Sequence, residues 1–167
     1  MVLGLGNLLH RDDGLGVHAL HELGQRHRFP SEVELVEGGI GGLALLPLLQ
    51  EAGALVVLDA VRGGGAPGDL YRIPLGELSA AGEGEGGDAT LSFSLHGLGL
   101  ADLLRHAGAW GQLPRGFLLG LEPAELAGWS LELSPPVAAR LGRLVEEAVA
   151  VLAAWGHAIR PAGGSSE

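Results

Sequence analysis

Three carboxylates and one imidazole are the side chains of this sequence best placed for chemistry. Asp12 and Asp13 follow the glycine turn Gly4-Leu5-Gly6-Asn7, Asp59 ends an apolar run, and His96 opens a later helical stretch. Two carboxylates with one neutral imidazole suit a divalent ion that keeps open coordination positions. Carboxylate oxygens neutralise charge, and imidazole suits nickel, zinc, copper or iron. Three protein ligands leave room for water or a substrate group. Spacing alone leaves the choice between Asp12 and Asp13 open. An acid before a helix is equally a cap for its unpaired N–H groups. Two capping acids and a structural histidine are therefore the competing reading.

Other chemistries fit less well. Gly4 and Gly6 begin a G-x-G-x-x-G dinucleotide fingerprint, but its third glycine is replaced by Leu9, and Asp12 and Asp13 would repel a pyrophosphate. Ser92, Ser94 and Ser130 lack a G-x-S-x-G setting. The absence of cysteine excludes disulfides, thiolate metal sites and a cysteine nucleophile. His10, His18, His21, His27, His106 and His157 read as surface or core-edge residues. His18 and His21 share a helix face at i,i+3, where solvation is favoured over a metal pair. A net charge of −10 argues against nucleic acid as a partner. No run approaches the roughly 18 apolar residues of a membrane helix, and no basic signal-like start is present, so a cytoplasmic protein without membrane attachment is expected. All ten basic residues are arginine, which with 30 glycines points to a GC-rich genome.

For the acids and the imidazole to meet, strand ends must lie along one edge of a sheet. Residues 2–5 read as a short apolar strand before the first glycine turn. A helix over 13–27 carries Leu15, Ala19, Leu20 and Leu23 on its buried stripe. A strand over 33–36 leads to a second glycine turn at 37–42, then a helix over 43–52. The continuous apolar run 54–60 predicts a central parallel strand covered on both faces. An edge strand at 69–74, a polar loop at 83–88, a helix over 98–106 and a strand over 115–121 follow. Ser134 and Pro135 start a final helix closed by Gly156. This order predicts an α/β fold, a three-layer αβα sandwich with a mostly parallel, twisted sheet of about five strands. A single domain over 1–160 and a disordered tail over 161–167 are expected.

These motifs resemble the hydrogenase maturation endopeptidases over most of the chain. Gly4-Leu5-Gly6-Asn7 with Asp12-Asp13-Gly14 is similar to the family's G-x-G-N signature and its acidic pair. Glu37-Gly38-Gly39-Ile40-Gly41-Gly42, Leu58-Asp59-Ala60, the His96-Gly97-Leu98 helix start, Gly120-Leu121-Glu122-Pro123 and Ser134-Pro135-Pro136-Val137 match its later motifs. The resemblance implies an endopeptidase that removes a C-terminal extension from the nickel-iron hydrogenase large-subunit precursor after nickel insertion. It places metal contact and catalysis on Asp13, Asp59 and His96. Nickel comes with the substrate as the recognition element, and zinc or cadmium can substitute in vitro. Peptide hydrolysis then proceeds by polarisation of the scissile carbonyl or by activation of water, with Asp13 or Asp59 as base. Gly38, Gly39, Gly41 and Gly42 are expected to bind extended substrate through backbone groups. A monomer is expected. The rival reading is a non-proteolytic nickel-sensing or chaperone protein on the same scaffold.

Overall fold

The apolar run expected at the centre of the sheet is there. The computed structural model describes residues 1–80, 92–93, 100–111 and 113–163. In chain order its elements are β1 (Val2–Leu5), a 3-10 turn (Arg11–Gly14), α1 (Leu15–Arg26), β2 (His27–Arg28), β3 (Leu35–Gly39), a second 3-10 turn (Gly42–Leu45) and α2 (Leu46–Glu51). Then come β4 (Ala54–Arg62), β5 (Leu70–Pro74), α3 (Leu75–Ala80), β6 (Ser92–Phe93) and α4 (Leu100–Trp110). The chain continues through β7 (Arg115–Leu121), α5 (Pro135–Ala138), α6 (Leu141–Ala154) and β8 (Arg160–Pro161).

The main sheet runs β3-β1-β4-β7-β5, with β4 in the middle and only β5 antiparallel on this path. Alternation along the strands feeds two cores. Val2, Val56, Leu58 and Leu119 face α1 and α6, whereas Leu3, Leu55, Val57 and Leu118 face α2, α3 and α4. The three layers expected from the pattern are present. The crossover through α1 leaves β1 in one direction along the sheet, and α2 delivers the chain to β4 on the other side of β1. The strand order therefore reverses between β1 and β4. In open α/β sheets ligands bind at such a reversal, beyond the carboxyl ends of the strands.

Several boundaries move. The strand expected over 33–36 begins at Leu35 and runs into the glycine turn, because Leu5 pairs with Gly39 while Val33 N–H closes a turn on Pro30 O (3.0 Å). The final helix is two pieces, α5 and α6, separated at Arg140, whose N–H bonds Val137 O (3.0 Å) in a tighter turn. Neither acid caps α1: Gly14 occupies that position and the 3-10 turn stands before it. Helix α3 and the β2–β8 ribbon carry too few residues to show a period. The tail boundary also shifts. Pro161 pairs with His27, and Ala162 N–H donates to Arg26 O (2.8 Å). The polar stretch 83–88 and His96 lie outside the described residues. No helix among the described residues is long and apolar enough to cross a membrane.

Candidate active site

Glycine brings the first turn and β4 together. A Cβ on Gly16 would lie 2.0 Å from Leu58 O and 2.4 Å from Leu5 O, so only hydrogen lets α1 pack this closely on the strands. Asp13 is three residues before Gly16, and Asp59 follows Leu58. Gly6, at φ +119°, passes so close to the Asp13 carbonyl that a Cβ there would sit 1.8 Å from it. Asp13 and Asp59 thus flank the reversal point between β1 and β4. Both are buried. Asn7 N–H donates to Asp13 Oδ2 (3.3 Å), and Ala60 N–H donates to Asp59 Oδ1 (2.8 Å).

The adjacent acids do different work. Asp12 is fully buried and its oxygens accept four hydrogen bonds. Ser134 N–H (2.7 Å) reaches Oδ1, while Ser134 Oγ–H (2.7 Å), Ala124 N–H (2.9 Å) and Glu125 N–H (2.8 Å) reach Oδ2. Asp12 therefore ties the loop after β7 to the loop after β1. The hydroxyl of Ser134, expected to cap the final helix, is used on Asp12 instead. Asp13 lines a cleft of about 730 Å³ with Asn7, His10, Arg62, Glu125 and the loop backbone around Ala124. Asp59 is 2% exposed and is not among the residues that line this cleft.

A sequence model described as "Hydrogenase maturation protease" matches residues 17–151. The hydrogenase expression/formation protein HupD of Rhodobacter capsulatus is 38% identical over 93% of this chain and 72% of its own. The hydrogenase 2 maturation protease of Escherichia coli K12 is 33% identical over 91% of this chain and 89% of its own. The solved structure of the hydrogenase maturating endopeptidase HybD from Escherichia coli superposes with a TM-score of 0.86 at 32% identity, covering 98% of both chains. This chain belongs to the hydrogenase maturation protease family. Its fold is that of the HybD endopeptidase, and its chemistry is hydrolysis of a peptide bond, so the non-proteolytic rival is set aside. The known role of the family is C-terminal processing of the hydrogenase large subunit.

Within this protease the second glycine turn has two kinds of glycine. Gly38 and Gly41 are packing positions: an added Cβ would meet Leu3 and Leu5 side chains at 2.8 Å, or Gly38 O at 2.8 Å. Gly39 (φ +52°) and Gly42 (φ +49°) have left-handed backbones, and a Cβ there would meet nothing within 4 Å. His18 and His21 share α1, but their surroundings differ. His21 Nε2 lies 2.9 Å from Glu37 Oε2, and burial holds the His18 imidazole below its ordinary pKa. Among the described residues no group of three His, Cys, Asp or Glu is gathered for a metal.

Four residues near the site escaped the sequence reading. His10 and Arg62 line the cleft, although His10 reads as a surface or core-edge residue and Arg62 lies beyond the apolar run 54–60. Buried Glu122 accepts Gly63 N–H (2.7 Å), Gly65 N–H (3.3 Å) and the Tyr71 hydroxyl (2.7 Å) on Oε2, fixing the loop after β4. The signal for His10 was its place in the same turn as the acids. Glu122 stands in the Gly120-Leu121-Glu122-Pro123 motif, but nothing in residue order joins it to Tyr71, 51 residues away.

Proposed function

We propose that Asp13, Asp59 and His96 together contact the nickel ion carried by a hydrogenase large-subunit precursor, and that hydrolysis at its C-terminal extension is licensed by that contact. The observation that carries this reading is the placement of two buried carboxylates on either side of the β1/β4 reversal point. Alternation along β4 puts Asp59 on the side of Leu55 and Val57, the face that α4 covers. Antiparallel β6 pairs Ser92 with Arg62 and Phe93 with Val61, so it runs back along β4 in the direction of Asp59. His96 follows Phe93 by three peptide steps, about 11 Å of chain at most. Those facts support a meeting of the three groups at one rim.

The donor set fits a borderline divalent ion with open positions. The ion belongs to the substrate; zinc or cadmium would occupy the same donors in vitro. When bound it supplies charge to polarise a carbonyl or a water. Asp13 or Asp59 takes the proton from the attacking water, and the backbone N–H donated to each carboxylate fixes its orientation for that transfer. The cleft beside Asp13 takes the extended segment, and Gly39 and Gly42 offer backbone groups without side-chain obstruction. The protease works as a cytoplasmic monomer, without nucleic acid or membrane.

Mass spectrometry of nickel-loaded precursor incubated with the protease tests this. Loss of the C-terminal extension is expected with the wild type and not with Asp59→Asn or His96→Ala. Wild-type rates from either variant would remove the assignment. A crystal soaked with cadmium should show density bridging Asp13, Asp59 and His96.

A further inference from the structure

Five large apolar side chains stand exposed among the described residues: Leu9, Ile40, Leu43, Trp129 and Leu131, at 48% to 78%. All lie on loops that leave the carboxyl ends of parallel strands: Leu9 after β1, Ile40 and Leu43 after β3, Trp129 and Leu131 after β7. Hydrogen bonds join these loops. Gly6 N–H reaches Gly39 O (2.9 Å), Ser130 N–H reaches Leu9 O (3.0 Å), and Arg11 N–H reaches Ser130 O (3.0 Å). The Trp129 ring lies 4.9 Å from that of His10, which lines the cleft. The result is a set of apolar side chains at one end of the sheet, adjoining the cleft at Trp129. Exposed apolar groups scattered singly need no explanation, but their confinement to one end of a molecule marks an interaction surface.

We infer that this set of side chains, the rim, docks the folded body of the precursor, taking an apolar patch next to the segment that is cut. The inference rests on the reading that the cleft receives the precursor. Two observations choose that occupant over a second copy of this chain. A dimer formed through the rim would close the cleft, since Trp129 touches its wall through His10. The net charge of −10 also opposes self-association at long range. Rim contacts form with the ground state and persist in the transition state. They therefore appear in KM and leave kcat unchanged.

Steady-state cleavage of nickel-loaded precursor by the wild type, Trp129→Ala and Ile40→Ser, with sedimentation velocity on each free protein, tests the inference. We expect KM to rise about tenfold in each variant at constant kcat, with all three proteins sedimenting as monomers. Unchanged KM in both variants, or a fall in kcat at saturating precursor, overturns it. A wild-type dimer that the substitutions dissociate also overturns it and assigns the rim to a second copy. These readouts keep Asp13, Asp59 and His96 intact. Failure of the metal reading would instead show as normal processing by Asp59→Asn, which leaves the rim result standing.

Discussion

Two clefts open at opposite ends of the sheet, and acids line both. At the carboxyl ends of the strands Asp13 and Asp59 are buried, and each accepts a hydrogen bond from a backbone N–H. At the other end a cleft of about 560 Å³ is lined by Glu32, Glu34, Glu51, Arg115 and His157. Its three glutamates are exposed, and His157 Nδ1 stands 4.0 Å from Glu32 Oε1. Exposed carboxylates keep their hydration, and salt screens them. Buried ones lose it and must be held by donors, which fixes where their oxygens point. Orientation, rather than the number of acids, separates a site from an acidic surface.

The largest expected effect follows from that contrast. Asp59→Asn, Asp13→Asn and His96→Ala should each lower processing of nickel-loaded precursor by about a thousandfold or more, read as product mass over time. The amide introduced by Asp59→Asn retains an acceptor for Ala60 N–H, so that variant's thermal midpoint should stay within about 3 °C of the wild type. If Glu34→Gln slowed processing as much as Asp59→Asn, the two ends would be functionally alike and the comparison would collapse.

The next effect separates neighbours within one turn. Asp12→Ala leaves the donors of Ser134, Ala124 and Glu125 without their acceptor. We expect a loss of about 3 kcal/mol or more in urea unfolding. Asp13→Ala gives up the bond from Asn7 N–H (3.3 Å) among its contacts, and should cost less stability than Asp12→Ala while still losing processing. Equal stability losses would mean that the first turn has no division between holding and reacting. Gly16→Ala should come next, at about 2 kcal/mol, because its Cβ would meet backbone oxygens that cannot rotate away. It should also slow processing by moving Asp13 off β4.

Much of this was legible in residue order. The run at 54–60, one acid at its end and glycines before two adjacent acids led to a parallel sheet with carboxylates at one edge. The helix stripe of Leu15, Ala19, Leu20 and Leu23 is buried as periodicity requires. What local pattern could not decide was which of Asp12 and Asp13 faces the cleft. The partners of Asp12 lie more than a hundred residues away, at Ala124, Glu125 and Ser134. The same holds for Glu122, whose donors come from the loop after β4 and from β5. The break between α5 and α6 was hidden because Val137, Leu144 and Val145 keep one face buried across it. Long-range polar satisfaction and short helical interruptions leave periodicity unchanged.

The smallest expected effect belongs to the amino end of the sheet. Glu34→Gln with Glu51→Gln removes two charges from exposed positions at the end of the sheet opposite the loops that carry Asp13 and Asp59. Each glutamate keeps its hydration in the folded chain, and relief of repulsion among Glu32, Glu34 and Glu51 is screened within about 8 Å at physiological salt. Stability should therefore change by about 0.5 kcal/mol or less, and kcat and KM for precursor should match the wild type. A raised KM would place part of the precursor on this cleft as well, and docking would then span both ends. An unchanged KM, measured beside the loss expected for Trp129→Ala, confines recognition to the end where the carboxylates are buried and the apolar side chains are exposed.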